Sequence, residues 1–396
     1  MKVLIADRVS PKMIDDLNML GAEVIVMPDV TAEDLADVIG DATILIVRSK
    51  KVTKKTIDSA RSLSLIVRAG AGVNTIDLDA ASRSGTYVAN CPGKNTDAVA
   101  ELAIGLLIAS DRGIADATQA LRQGLWQKGK FGKASGLKSR TLGIIGAGSI
   151  GMAVARRAKA LDMKVIAWSR SLTQETAHAC GIEFAATPLE LARKSDAISI
   201  HVASTPETRG LIDAEFFSAM KQGAIFVNTA RGEIVDHSAL LHAVNEKGIK
   251  AGLDVFADEP AGGSAPFDQL ELSSKVVCTP HIGASTAQSE EAIAAESVNI
   301  VRAFINGDVP PNVVNVRSTY GDGYKLVIRH YNRVGVLARI LDQLRDEDIN
   351  IEEMQNLIFN HADAACCSIK LDKVPSSEVI KKIEQAESII EITTGK

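Results

Sequence analysis

The chain has 396 residues, 46% hydrophobic and 23% charged, which suits a water-soluble globular protein with two or three cores. Its net charge of −5 offers no basic surface for nucleic acid. The longest apolar run, near 98–109, is interrupted by Glu101 and is too short for a bilayer. MKVLIADRVS meets Asp7 and Arg8 within one strand's length, so it reads as a first strand and not a signal peptide. Five cysteines without paired spacing fit a reducing cytoplasm, and no metal site is expected.

Short apolar runs near 2–7, 22–28, 43–49, 64–70 and 86–92 alternate with amphipathic stretches. That alternation predicts a parallel sheet covered on both faces. Ser10-Pro11 and Thr31 are helix starts, and Gly21, Gly40 and Gly85 are stops. One long helix is predicted over 96–124, joining two lobes. Six further strands follow, in TLGII, MKVIAWSR, AISIHVA, AIFVNTARG, KAGLDVF and VVCTPH. A helix over 285–307 leads to the boundary signal Pro310-Pro311. Residues 324–396 then read strand-helix-strand-strand-helix-strand, the ferredoxin-like pattern, with Cys366 and Cys367 alternating across one strand. The expected fold is α/β: two flavodoxin/Rossmann-like doubly wound parallel-sheet domains and a C-terminal ferredoxin-like α+β domain. The expected division is 1–96 with 284–318 for substrate, 97–283 for dinucleotide, and 324–396 as a separate binding or assembly module.

GAGSIG at 146–151 follows the strand-like TLGII and opens the helical MAVARRAKAL. In that setting Gly146 permits a tight turn, Gly148 lets backbone approach a pyrophosphate, and Gly151 lets helix pack on strand. The N–H groups of the helix start, at Ser149 and Ile150, face the phosphates. A ribose-binding carboxylate is expected about 20 residues further on. Ser169 and Arg170 stand there instead. A carboxylate would repel a 2′-phosphate, whereas Ser and Arg accept one. The cofactor is therefore NADP or NAD, with NADP favoured; a solvated Arg170 and a loose cofactor choice is the alternative.

Downstream stand Arg231 in NTARGEIVD, Glu259 in GLDVFADEP and His281 in TPHIGAS. A guanidinium, a carboxylate and an imidazole beside a dinucleotide are the parts needed to interconvert a 2-keto and a 2-hydroxy acid. With RAGAGVNTID, NTARGE, LDVFADEP and PHIGAS in view, residues 1–318 resemble the D-isomer-specific 2-hydroxyacid dehydrogenases, and the tail resembles an ACT regulatory domain. The resemblance implies that Arg231 binds the substrate carboxylate and carbonyl, that His281 is the general acid/base, and that Glu259 hydrogen-bonds it. It implies that amides at Ala71, Gly72 and Val73 cradle the carboxylate. Asp254 would meet the nicotinamide carboxamide. HVASTPET supplies His201, Val202, Ala203 and Thr208 near the adenosine and phosphates, although Ala203-Ser204 replaces the usual Pro-Leu. Thr229, Ala230 and Gly283 complete the cofactor set.

Arg48 and Arg68 each follow an apolar strand and suit the phosphate of a phosphorylated 2-hydroxy acid. The resemblance assigns both this role, with Lys50 an additional candidate; surface salt bridging is the alternative. In the tail, the resemblance places an L-serine effector at His330 and Asn332 with Asn350 across a subunit interface. Arg333-Val334-Gly335 departs there from the family's Arg-Pro-Gly. A homodimer or homotetramer is implied, with Trp126 a possible contact and hinges near 96 and 284. Two other readings stay open: a glyoxylate or hydroxypyruvate reductase of the same family, and a non-catalytic cofactor-sensing binding protein.

Overall fold

The computed structural model describes residues 1–260, 265–316 and 324–395. Residues 317–318 of the expected substrate domain and Lys396 of the tail lie outside them. The chain forms two compact units, Met1–Asn315 and Val316–Lys396. No helix among the described residues is long and apolar enough to cross a membrane.

The first lobe of the larger unit is a parallel sheet of β1 (Lys2–Ile5), β2 (Glu23–Val26), β3 (Ile44–Val47), β4 (Leu65–Arg68) and β5 (Tyr87–Asn90), ordered β2-β1-β3-β4-β5. Its central strands are apolar runs, β4 up to its final Arg68, because helices cover both faces. Ser10, Thr53 and Asp77 cap the intervening helices by accepting from the N–H three residues on. The same core takes Ile293, Val298, Ile300 and Val301 from the helix Ala287–Ile305. Beyond Pro310-Pro311 the chain still pairs with β5, through a Val313–Ala89 bridge and Asn315 Oδ1 accepting from Val88 N at 2.8 Å. This lobe is thus assembled from two distant stretches of sequence.

The second lobe holds β6 (Thr141–Ile145), β7 (Lys164–Trp168), β8 (Glu183–Phe184), β9 (Ala197–Ile200), β10 (Ile225–Asn228), β11 (Lys250–Leu253) and β12 (Val277–Cys278). Their order is β12-β11-β10-β9-β6-β7-β8, all parallel. The expectation of six strands is corrected to seven, since β8 pairs only Glu183 and Phe184 with β7 and is too short to register as an apolar run. The single helix expected over 96–124 is also corrected. It ends at Arg112, Gly113 turns left-handed at φ 60°, and a second helix runs Ile114–Arg122. Strand order reverses between β6 and β9, which opens a crevice at the carboxyl ends of the strands.

The smaller unit is an antiparallel sheet of β13 (Tyr324–Tyr331), β14 (Ile351–Ile358), β15 (Ala364–Leu371) and β16 (Ile389–Gly395), ordered β14-β15-β13-β16. Helices Val336–Asp346 and Ser377–Glu384 pack on it through Val336, Ile340, Val379 and Ile383. Burial alternates strictly along β15, so Cys367 is buried and Cys366 half-buried, as the two-residue period requires.

Candidate active site

Gly146 leaves β6 at φ 102°, and a Cβ there would sit 2.5 Å from the His201 carbonyl oxygen. A Cβ on Gly151 would strike the Gly146 carbonyl, so helix and turn are in backbone contact. Gly148 is different: nothing lies within 4 Å of its missing side chain. It precedes the helix Ser149–Ala160, whose first N–H groups receive no side-chain cap. Open space over free amides at a helix N-terminus suits a phosphate.

Beside it is a cavity of about 160 Å³ lined by Gly146, Gly148, Trp168, Ser169, Arg170, His201, Val202, Ala203 and Thr208. Apart from Trp168, each was singled out from sequence. Desolvation of the His201 ring pushes its pKa down to about 3, so it stands neutral at Ser199 Oγ, 2.8 Å away. The Thr208 hydroxyl donates to Ala203 O at 2.6 Å and accepts from Thr205 N at 2.8 Å, which shapes the rim of the cavity. Thr229 Oγ1 is buried without a partner among the described residues. Unfilled space, uncapped amides and an orphaned hydroxyl all fit a bound dinucleotide.

Arg231, Glu259 and His281 follow β10, β11 and β12, three neighbouring strands, at the same edge of the sheet. Asn228, fully buried, closes the turn that carries Arg231: its Nδ2 donates to Arg231 O and its Oδ1 accepts from Ala230 N, both at 2.9 Å. Asp254, 1% exposed, organises the next turn. Its Oδ1 accepts from Thr279 Oγ1 at 2.6 Å and Ile282 N at 2.8 Å, and its Oδ2 from Gly283 N at 2.8 Å. Desolvation nevertheless raises its pKa. Oδ2 accepts only that one bond, so it has capacity for a further donor such as a carboxamide. His281 sits on this turn at φ 52°. Its Nδ1 lies 2.5 Å from Glu259 Oε1, and its Nε2 has no partner among the described residues.

The first lobe supplies the opposing wall. Arg68 ends β4, and its guanidinium occupies the space beside Gly70, where a Cβ would overlap it. Its Nε is buried and unpartnered. Burial, then repulsion from Arg231 and more weakly from Arg48, pushes its pKa down to about 10. Arg231 Nη2 reaches across to Gly72, 2.8 Å from where a Cβ would stand. The N–H groups of Ala71, Gly72 and Val73 donate to no protein acceptor among the described residues.

Arg48 is placed otherwise, with Nη1 on Glu290 Oε1 at 3.0 Å. Its loop is gathered by Asp7, a buried residue whose role was not read from sequence. Asp7 Oδ2 accepts from the N–H groups of Arg48, Ser49 and Lys50 at 2.7, 3.1 and 3.3 Å. Lys50 turns away to donate to Pro28 O at 2.8 Å.

In the smaller unit His330 is buried, with Nε2 3.3 Å from Asn356 Oδ1. Asn332 is exposed and donates to Ala362 O. Asn350 lies at the other end of the sheet, where its N–H donates to Asp372 Oδ1. His330 pairs with Ala365, and Asn350 bonds Asp372, seven residues further along the chain, so about 24 Å at strand spacing separates the two.

A parallel sheet with a dinucleotide crevice, and an imidazole–carboxylate pair at its edge, define a nicotinamide-dependent dehydrogenase. Residues 104–283 match the family described as D-isomer specific 2-hydroxyacid dehydrogenase, NAD binding domain. The chain is 37% identical over 356 residues to a D-3-phosphoglycerate dehydrogenase of Methanocaldococcus jannaschii, covering 89% of this chain and 67% of that protein. It is 40% identical over 282 residues to a glyoxylate reductase of Thermococcus litoralis, covering 69% and 83%. A cofactor (NAD+)-bound 3-phosphoglycerate dehydrogenase from Entamoeba histolytica superposes with TM-score 0.66 at 29% identity, over 79% of this chain and 98% of that one. The chain belongs to the D-isomer-specific 2-hydroxyacid dehydrogenase family. It is shorter than some relatives, spanning 58% of the D-3-phosphoglycerate dehydrogenase of Archaeoglobus fulgidus.

Proposed function

We propose that this protein interconverts D-3-phosphoglycerate and 3-phosphohydroxypyruvate, the entry reaction of phosphorylated L-serine synthesis. The observation that carries the reading is the half-buried Arg68, its buried Nε without a partner among the described residues, beside three free amides and Arg231. That wall offers positive charge and N–H donors to a substrate with two anionic ends. Arg231 and the amides of Ala71, Gly72 and Val73 hold the carboxylate and the C2 oxygen, and Arg68 with Arg48 holds the phosphate. His281 Nε2 takes the C2 hydroxyl proton in oxidation and returns it in reduction. Glu259 keeps the ring oriented through Nδ1. Arg231 steadies charge that develops on the C2 oxygen. The amides after Gly148 would hold the cofactor phosphates, and Thr229 and Asp254 would serve its nicotinamide end; the bound cofactor would supply a hydride acceptor for the C2 hydrogen.

NADP is the preferred cofactor in this reading, supported by Ser169 and Arg170 lining a cavity whose lining, among the described residues, includes no carboxylate. A second reading, a glyoxylate or hydroxypyruvate reductase, is favoured by the Arg48–Glu290 pair, which offsets one of the two phosphate arginines. Initial rates with 3-phosphohydroxypyruvate and with hydroxypyruvate, each against NADH and NADPH, decide both points. Preference for the phosphorylated keto acid and for NADPH is expected. Faster turnover of hydroxypyruvate at equal concentration rejects the first reading.

The smaller unit is read as an ACT-like regulatory domain. The separation of Asn350 from His330 and Asn332 suits an L-serine site shared between subunits of a homodimer or homotetramer. Exposed Leu121, Leu125 and Trp126 offer a further apolar contact surface. A cytoplasmic setting agrees with cysteines that form no disulfide. Millimolar L-serine is expected to inhibit the reaction; neither inhibition nor binding in calorimetry at that concentration rejects the assignment.

A further inference from the structure

The Arg48–Glu290 pair lies at a cavity of about 220 Å³, separate from the dinucleotide cavity and lined by Arg8, Ser10, Arg48, Ala69, Glu290 and Ile293 among others. Arg68, one residue before Ala69, and Arg231 form no ion pair among the described residues, so Glu290 is the only carboxylate there in direct contact with any of the three clustered arginines. We propose that Glu290 is a specificity-determining residue: its carboxylate is an internal counter-anion that holds Arg48 until a substrate phosphate displaces it. This rests on the assignment of Arg48 and Arg68 to the phosphate.

The pair is partly exposed, 36% for Arg48 and 49% for Glu290, so it is weak and exchangeable. A phosphate dianion offers more charge and more acceptor oxygens than a carboxylate and takes the guanidinium bidentately. An uncharged hydroxymethyl group cannot compete, so an unphosphorylated analogue meets Arg48 already satisfied. Glu290 cannot retreat far. It sits in the first turn of the helix Ala287–Ile305, where Thr286 caps and the Glu290 N–H donates to Thr286 O at 2.9 Å. Only its side chain can swing, and it stays close enough to repel the bound dianion. An acidic residue in a first turn also favours the helix dipole. That structural role alone predicts a change in melting temperature and none in substrate selectivity.

The test is Glu290→Gln, which keeps shape and removes charge. KM for 3-phosphohydroxypyruvate is expected to fall about fivefold, with KM for hydroxypyruvate and kcat for both substrates unchanged. Inorganic phosphate, as a competitive inhibitor, is expected to bind about fivefold tighter as well. Equal shifts for the two keto acids, or a phosphate inhibition constant that does not move, would overturn the proposal. The phosphate arm needs no turnover of a phosphorylated substrate. It therefore separates failure of this inference from failure of the underlying assignment, which wild-type preference for hydroxypyruvate would reveal.

Discussion

His281→Ala is expected to lower turnover by about 10²–10⁴-fold while leaving cofactor affinity, read by fluorescence titration, nearly unchanged. The expectation follows from the division of labour within the ring. Nδ1 is committed to Glu259 at 2.5 Å, and Nε2 is left without a protein partner among the described residues. The turn that presents it is secured independently by Asp254, through Thr279, Ile282 and Gly283. Truncating the imidazole therefore removes the proton carrier without loosening its support. The residue's left-handed φ of 52° suits histidine better than alanine, so the variant's melting temperature serves as the control for a loosened turn. Turnover within tenfold of wild type would end the assignment of His281 as acid and base.

Arg68→Met should separate stability from function. The wild-type guanidinium is half-buried, has a buried Nε without a partner among the described residues, and is repelled by Arg231 and Arg48. Replacing a half-buried, uncompensated charge with an apolar side chain of similar reach is worth about 1–4 kcal/mol. At about 2–4 °C per kcal/mol, the ligand-free variant should melt several degrees higher. KM for the phosphorylated substrate should rise about 10²-fold, because the anion loses its partner. The pH dependence has a definite sign. Arg68 has its folded pKa lowered to about 10, well below the usual guanidinium value, so the unfolded chain holds the proton to higher pH. Its cost to the fold is complete below about pH 10 and is relieved over the range just above it. The stability gap between variant and wild type should be widest below that window and close above it. A lower melting point with unchanged KM would mean that Arg68 only supports the fold.

Much of this architecture was legible in the residues because its signals are local. GAGSIG between an apolar run and a helical run announces the crevice, and the period changes of the tail announce its six elements. Where the reading failed, the deciding interaction was short or distant. Gly113 stops a helix only through its left-handed turn, and an isolated glycine in an alanine- and leucine-rich run gives no sign of that. β8 has two residues and exists because β7 offers an edge. Asp7, Asn228 and Glu290 act through partners set by folding: Asp7 collects amides 41 to 43 positions away, and Glu290 meets an arginine 242 positions away. No window of sequence holds both members of such pairs. Asp254 was marked from sequence as a cofactor contact, and its hold on the turn bearing His281 emerged only once β11 and β12 were seen side by side.

The two-part construction of the first lobe has a consequence for biogenesis. Its opening 90 residues supply all five strands, yet Ile293, Val298, Ile300 and Val301 fill one side of its core, and Val313 and Asn315 clasp its last strand. As the chain leaves the ribosome, those strands must wait for some 200 intervening residues, while the second lobe already has every strand from β6 to β12 in hand. The nascent first lobe should thus be the part that chaperones protect. A ribosome-stalled fragment ending at Pro280 should resist protease over 141–278 and be cleaved within 1–90.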